Sequence, residues 1–283
     1  MAGASLISNA IDIGLRKTHY SYYAEWNDLY NSRINADLLI IGSSRARQHF
    51  STKILDSALS LNSYVLGTEA YRFQMQYNVF KMYLQHNRKP RFVILSLDSY
   101  TLHEDKNPYY YQQFLPYLDD SMIRQAFQGY AHEFTVSDHY LPLYKYRGER
   151  TQIIVGLMEF LKLKKYPDNA YKGFGDYDLV WDHSFDKFEV TQQKGYNIPA
   201  DKQDINEFEV FLNYCRQNGI VLFLVYSPEY IPVQKLYTNR DRIIQYYRNS
   251  AAKYSAVFID FSKDSLSYDK KSLLSGYKLN KFS

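Results

Sequence analysis

The chain has 283 residues, enough for one large α/β domain with a sizeable core, and 46% hydrophobic with 23% charged residues is ordinary globular composition. Lys+Arg 34 against Asp+Glu 30 leaves +4, too weak and too dispersed to argue for a nucleic-acid partner. One cysteine excludes an intrachain disulfide, and no apolar run approaches the length of a membrane span.

Residues 2–15 are mildly apolar but carry Asp12 and no basic leader, so they do not read as a signal peptide. A membrane tether outside this chain is compatible with that. Residues 17–31 form an aromatic lead-in, with His19-Tyr20-Ser21-Tyr22-Tyr23 at its centre. The first strand is predicted at 37–41, where Asp37-Leu38-Leu39-Ile40-Ile41 runs into Gly42-Ser43-Ser44. A helix over 45–58 follows, then a second strand at 63–69 ending at Gly67, and a helix over 73–86. Residues 91–98, Arg91-Phe92-Val93-Ile94-Leu95-Ser96-Leu97-Asp98, are nearly continuous in apolar character, which suits a central parallel strand.

The alternation stops there. Residues 103–199 are polar and aromatic, contain one clear helix at 151–164, and are expected to form an insertion that makes a lid or wall. The pattern resumes with a helix over 204–218 capped by Gly219, a strand at 220–226, a helix over 241–254 and a strand at 257–260. Five strands alternating with helices predict a doubly wound, flavodoxin-like parallel sheet of order 2-1-3-4-5, in a single domain over 1–283. Cys215, on the apolar side of its helix, reads as a small core residue. Tyrosine faces can stack on sugars, but a compositional bias is the commoner cause of a count of 30.

In an open parallel sheet, ligands bind outside the carboxyl ends of the strands. The Gly42-Ser43-Ser44 turn is therefore a candidate site, and the same residues also fit a plain strand-to-helix turn with a serine cap. Arg45 and Arg47 beside two serines could hold an anion, although a solvated Arg47 is the simpler reading. No Cys/His cluster has zinc spacing, and no glycine-rich phosphate loop is present, so no metal and no cofactor are expected.

Gly42-Ser43-Ser44, Gly67 and Leu95-Ser96-Leu97-Asp98, at three successive strand ends, resemble the layout of SGNH (GDSL-type) hydrolases. Leu279-Asn280 is similar to the His-Leu-Asn that often closes the family's last motif. The closest likeness is to the cell-surface branch, in which Gly-Ser-Ser-Arg stands for Gly-Asp-Ser-Leu. The resemblance covers the sheet and not the insertion. It implies a serine esterase or acyltransferase acting on acyl esters, such as acetyl groups of a carbohydrate, in the cell envelope. Ser44 would be the nucleophile, with the N–H groups of Arg45 and Gly67 as oxyanion donors. Asp98 stands where the family has an asparagine donor. An ionised carboxylate there would repel an oxyanion, so Asp98 serves either as a protonated donor or as a cap for its turn.

The family's closing Asp-x-x-His is represented here by Ser275 and Lys278. A serine without a base is a poor nucleophile, so the implied enzyme is impaired. The alternative is an inactive relative that binds acylated carbohydrate or an anion. Among the histidines, His103 follows the third strand on the expected carboxyl edge. His49, His132, His139 and His183 read as structural or surface residues.

Overall fold

The structure is a computed structural model that describes residues 2–104, 110–130, 133–167, 170–175 and 195–268. Five parallel strands form the central sheet: β1 (Leu38–Gly42), β2 (Ser63–Gly67), β3 (Phe92–Leu97), β6 (Val221–Tyr226) and β7 (Val257–Asp260), in the order β2-β1-β3-β6-β7. This is the doubly wound order expected from the sequence. Between β3 and β6, a two-stranded antiparallel hairpin pairs β4 (Ala170–Tyr171) with β5 (Phe174–Gly175). β1 and β3 are adjacent, with Leu38 opposite Phe92 and Ile41 opposite Leu95.

The two-residue period of a strand sends alternate side chains of β1 to opposite faces. Leu39 and Ile41 join the main core with Leu66, Val93, Leu95 and Leu224. Leu38 and Ile40 join a smaller cluster with Val65 and Ala46. The main core is closed by α5 (Phe73–His86), α9 (Lys202–Gln217) and α11 (Arg240–Tyr254), through residues such as Phe80, Phe211 and Tyr247, and the short α10 (Ile231–Leu236) precedes α11 in the chain. Cys215 is buried within that core, and burial pushes its thiol up to about 12, so it acts as a small apolar residue. α9 starts at Asp201, whose carboxylate accepts from the N–H groups of Gln203 and Asp204. It stops at Asn218, and Gly219 follows in the left-handed region at φ +67°.

The helix expected over 45–58 is two helices, α3 (Ser44–His49) and α4 (Thr52–Leu59). Phe50 and Ser51 adopt extended backbone between them. The break lets Phe50 and Leu55 both pack on the smaller cluster, a tertiary gain that helical periodicity alone does not reveal.

Two further helices precede β1: α1 (Ala2–Leu15) and α2 (Tyr23–Tyr30). The described parts of the segment between β3 and α9 hold more regular structure than their composition suggests. Short 3₁₀ turns at Tyr111–Tyr117 and Tyr144–Tyr146 alternate with α6 (Ser121–Ala126), α7 (Val136–Tyr140) and α8 (Arg150–Phe160). Phe114, Ile123, Phe127 and Val155 belong to the main core, so this segment is continuous with the domain. α8 packs on α1 with backbones in contact: a Cβ on Gly14 would lie 1.8 Å from the Gly156 carbonyl oxygen. The β4–β5 hairpin lies along the outer edge of β2, where Val65 donates its N–H to the Lys172 carbonyl at 3.0 Å. That cover blunts an otherwise open sheet edge. No helix among the described residues is long and apolar enough to cross a membrane.

Asp204, in the first turn of α9, carries a pH dependence. Burial, followed by the nearby Asp201 and Glu207, raises its carboxyl to about 7. An unfolded aspartate titrates near about 3.9. Between these values the native state holds a proton that the unfolded state has lost. The stability Asp204 contributes is therefore complete below about pH 4 and lost as the pH rises towards 7. Thermal melts should show a smaller fall in Tm between pH 5 and pH 8 for Asp204→Asn than for the native chain. Equal falls in both would assign the dependence to another group.

Candidate functional site

The carboxyl ends of β2, β1 and β3 lie side by side, and each carries one of the residues singled out from the sequence. Ser44 opens α3 directly after β1 and is half-buried. Gly67 ends β2 in register with Gly42. Asp98 follows β3 and is buried.

Two close approaches explain the glycines. A Cβ on Gly42 would sit 2.9 Å from the Cβ atoms of both Ala46 and Ser96. A Cβ on Gly67 would sit 2.8 Å from the Ser43 carbonyl oxygen and 2.8 Å from the Arg47 nitrogen. The first turn of α3 thus rests directly on the strand ends, and no larger residue fits beneath it.

Ser43 caps α3 and ties it to the neighbouring strand. Its hydroxyl donates to Asp98 Oδ2 at 3.1 Å, while the Arg45 N–H approaches the same hydroxyl at a long 3.4 Å. Asp98 Oδ1 accepts from the Tyr100 N–H at 2.8 Å and from the Thr101 hydroxyl at 3.3 Å. All three contacts donate to the carboxylate. Of the two roles open to Asp98, its geometry matches the turn cap, which here also pins the Ser43 turn. Among the described residues, nothing hydrogen-bonds the Ser44 hydroxyl.

The arginines after the serines do not face an open anion site. Arg45 forms a buried ion pair with Glu229 at 2.7 Å. Arg47 is buried rather than solvated, ion-paired with Glu25 and stacked 4.7 Å from the Tyr22 ring centroid. Glu229 accepts in turn from the Tyr226 hydroxyl at 2.7 Å, and Ser99 Oγ lies 2.7 Å from the same hydroxyl. This buried chain joins α3 to the ends of β6 and β3. A third guanidinium, that of Arg240 at the start of α11, lies 5.3 Å from the Tyr226 ring centroid. Its Nε and one terminal nitrogen are sealed from solvent without a partner among the described residues, and its other terminal nitrogen is 3.7 Å from exposed Asp241. Glu229, Tyr226, Ser99 and Arg240 were not expected from the sequence. The only cue was the strand end at Tyr226-Ser227, because their meeting depends on strand order.

No described histidine bonds Ser44. His49 is pushed down to about 4, by burial first and by the Arg45 charge second, so it is neutral at pH 7. His103 places Nδ1 2.9 Å from the Pro199 carbonyl oxygen and its ring edge against Tyr100. His139 packs on Tyr140. His132, His183, Ser275, Lys278, Leu279 and Asn280 lie outside the described residues. A cavity of about 220 Å³ opens beside Ser99, between Leu102, Ile198, Ile205, Ile243 and Tyr247, and Ser44 does not line it. No group of three or more His, Cys, Asp or Glu that could hold a metal ion occurs among the described residues. No protein-family model matches the chain, and no curated protein matches it in sequence.

Gly67→Ala should destabilise the fold by about 1–3 kcal/mol, the usual range for forcing a methyl into a filled space. Urea unfolding would show this as a lower midpoint with an unchanged slope. An unchanged midpoint would mean that the turn of α3 does not rest on β2.

Proposed function

We propose that Ser44 is the nucleophile of an SGNH-like acyl-transfer site that takes acyl esters of carbohydrate, and that its turnover is impaired. One observation carries the reading. A serine hydroxyl with no partner among the described residues opens the helix that leaves a central parallel strand, between the ends of two neighbouring strands. Ligands of open parallel sheets bind at such edges. In the reaction, Ser44 Oγ attacks the ester carbonyl, the sugar alcohol leaves, and the acyl group passes to water or to another hydroxyl. The cell-envelope setting implied by the resemblance suits surface glycans as substrates.

Attack requires a base to take the Ser44 proton. Asp98 is occupied by three donors, and among the described residues no imidazole is bonded to Ser44. Serine hydrolases stripped of triad residues retain roughly 10³–10⁴-fold over water, from binding and oxyanion stabilisation alone. The expected rate is of that residual order. A second reading, binding without turnover, draws on Arg240. A buried guanidinium with unpartnered nitrogens is costly unless an anion joins it, which favours an acidic ligand.

Turnover of p-nitrophenyl acetate separates the two readings. The native chain should be slow, Ser44→Ala slower still, and Ser275→Asp with Lys278→His should raise the Ser44-dependent rate by about 10²-fold or more, the low end for a positioned general base. Equal background rates in all three proteins would favour the binding module. Brisk native turnover abolished by Ser44→Ala would mean that a base is already in place, with His103 the first to replace.

A further inference from the structure

We propose that the outward face of α8, with the lysine-rich turn that follows it, docks onto an anionic lipid surface. The helix is amphipathic in the unusual sense. Its inner side is set by Val155 and Gly156, both buried, with Gly156 against α1. Its outer side carries Ile154, Met158 and Leu161 at positions i, i+4 and i+7, which share one helical face. They are 54%, 37% and 57% exposed. A helix in a water-facing layer would normally put charge there. The neighbouring α1 also leaves Leu6 and Ile13 exposed.

The end of the helix extends the apolar row. Leu163 donates its N–H to the Met158 carbonyl at 2.9 Å, with Lys162 in the left-handed region at φ +58°. In this type of cap the residue after the left-handed one commonly packs back on the helix. Here Leu163 stays 68% exposed.

The charges around the row are sorted by sign. Glu159 turns inward and accepts from the Thr18 hydroxyl and the Tyr166 N–H, both at 3.2 Å. Glu149 accepts from the Tyr111 hydroxyl. Lys162, Lys164 and Lys165 remain exposed and have no carboxylate partner among the described residues. Lys164 lies against the Tyr166 ring, 4.8 Å from its centroid. Exposed Arg150 stands at the other end of the helix.

An apolar stripe edged by lysines is the pattern of a helix lying in a lipid interface, where the leucines enter the headgroup boundary and the ammonium groups meet acidic headgroups. The same charges oppose a second copy on this face, because two lysine clusters would be brought together.

Flotation of the full chain with vesicles tests the proposal. Vesicles of equal phosphatidylglycerol and phosphatidylcholine should carry the protein at low salt, and pure phosphatidylcholine should carry far less. Lys162→Gln with Lys164→Gln and Lys165→Gln should weaken partitioning by about a hundredfold, from the usual contribution of a lysine near an anionic surface. Leu161→Gln with Leu163→Gln should weaken it at least about tenfold. All five positions are exposed, so unchanged circular dichroism and Tm will show that folding is intact. The proposal is overturned if phosphatidylglycerol vesicles do not bind the chain, or if folded variants bind as the native chain does. A dimer in sedimentation velocity that the leucine changes dissolve, without vesicle binding, would overturn it in favour of self-association.

Discussion

The site depends on the space left by two missing side chains. Gly42 and Gly67 let the first turn of α3 sit on the ends of β1 and β2, with neighbouring atoms 2.8–2.9 Å from where a Cβ would be. This contact fixes where the helix begins, and therefore where Ser44 stands. The Ser43–Asp98 hydrogen bond then holds that turn to β3. A serine on a frame fixed by two strand ends and a carboxylate is held in a defined position, which loop-borne serines seldom are. The same bond commits Asp98 as an acceptor and removes the most obvious neighbouring acid.

A second layer of order comes from buried charge. Arg45–Glu229 and Arg47–Glu25 take both guanidiniums of α3 inward. A buried ion pair adds little net stability over an apolar pair of similar shape, but losing one partner leaves an uncompensated charge, which is costly. These pairs therefore act chiefly on position. They orient α3 against α2 on one side and against the end of β6 on the other. Tyr226 and Ser99 complete the second link. Arg240 stands beside this chain with two buried nitrogens that no described residue satisfies.

The many tyrosines have structural work in the described part of the chain. Tyr83, Tyr146, Tyr226 and Tyr247 are among its largest fully buried side chains. Their hydroxyls find partners, as with Tyr247 on the Asp98 carbonyl oxygen at 3.0 Å and Tyr83 on the Arg88 carbonyl oxygen at 2.8 Å. A tyrosine can fill core volume and still satisfy a backbone carbonyl, which suits a fold with a long irregular connection. That connection puts Phe114 and Phe127 into the main core, while α8 on its outer side leaves apolar residues uncovered. The contrast between these two faces of one segment is what separates its packing role from a docking role.

The sequence by itself determined the sheet. The apolar runs at Leu38–Gly42 and Phe92–Leu97 are long, interrupted by a polar side chain only at Ser96, and alternate with helical periods, and right-handed crossovers leave few ways to order such strands. It also marked Ser44, Gly67 and Asp98 as residues at successive strand ends, because a strand end is a local feature of the chain. Only the tertiary structure decided what those ends do to one another. The break at Phe50-Ser51 follows from packing on both sides of it, not from either residue's propensity. The inward turn of Arg45 and Arg47 depends on Glu229 and Glu25, which lie 184 and 22 residues away in the chain. Side-chain partners at such separations are chosen by strand order and helix placement, and no local pattern encodes them.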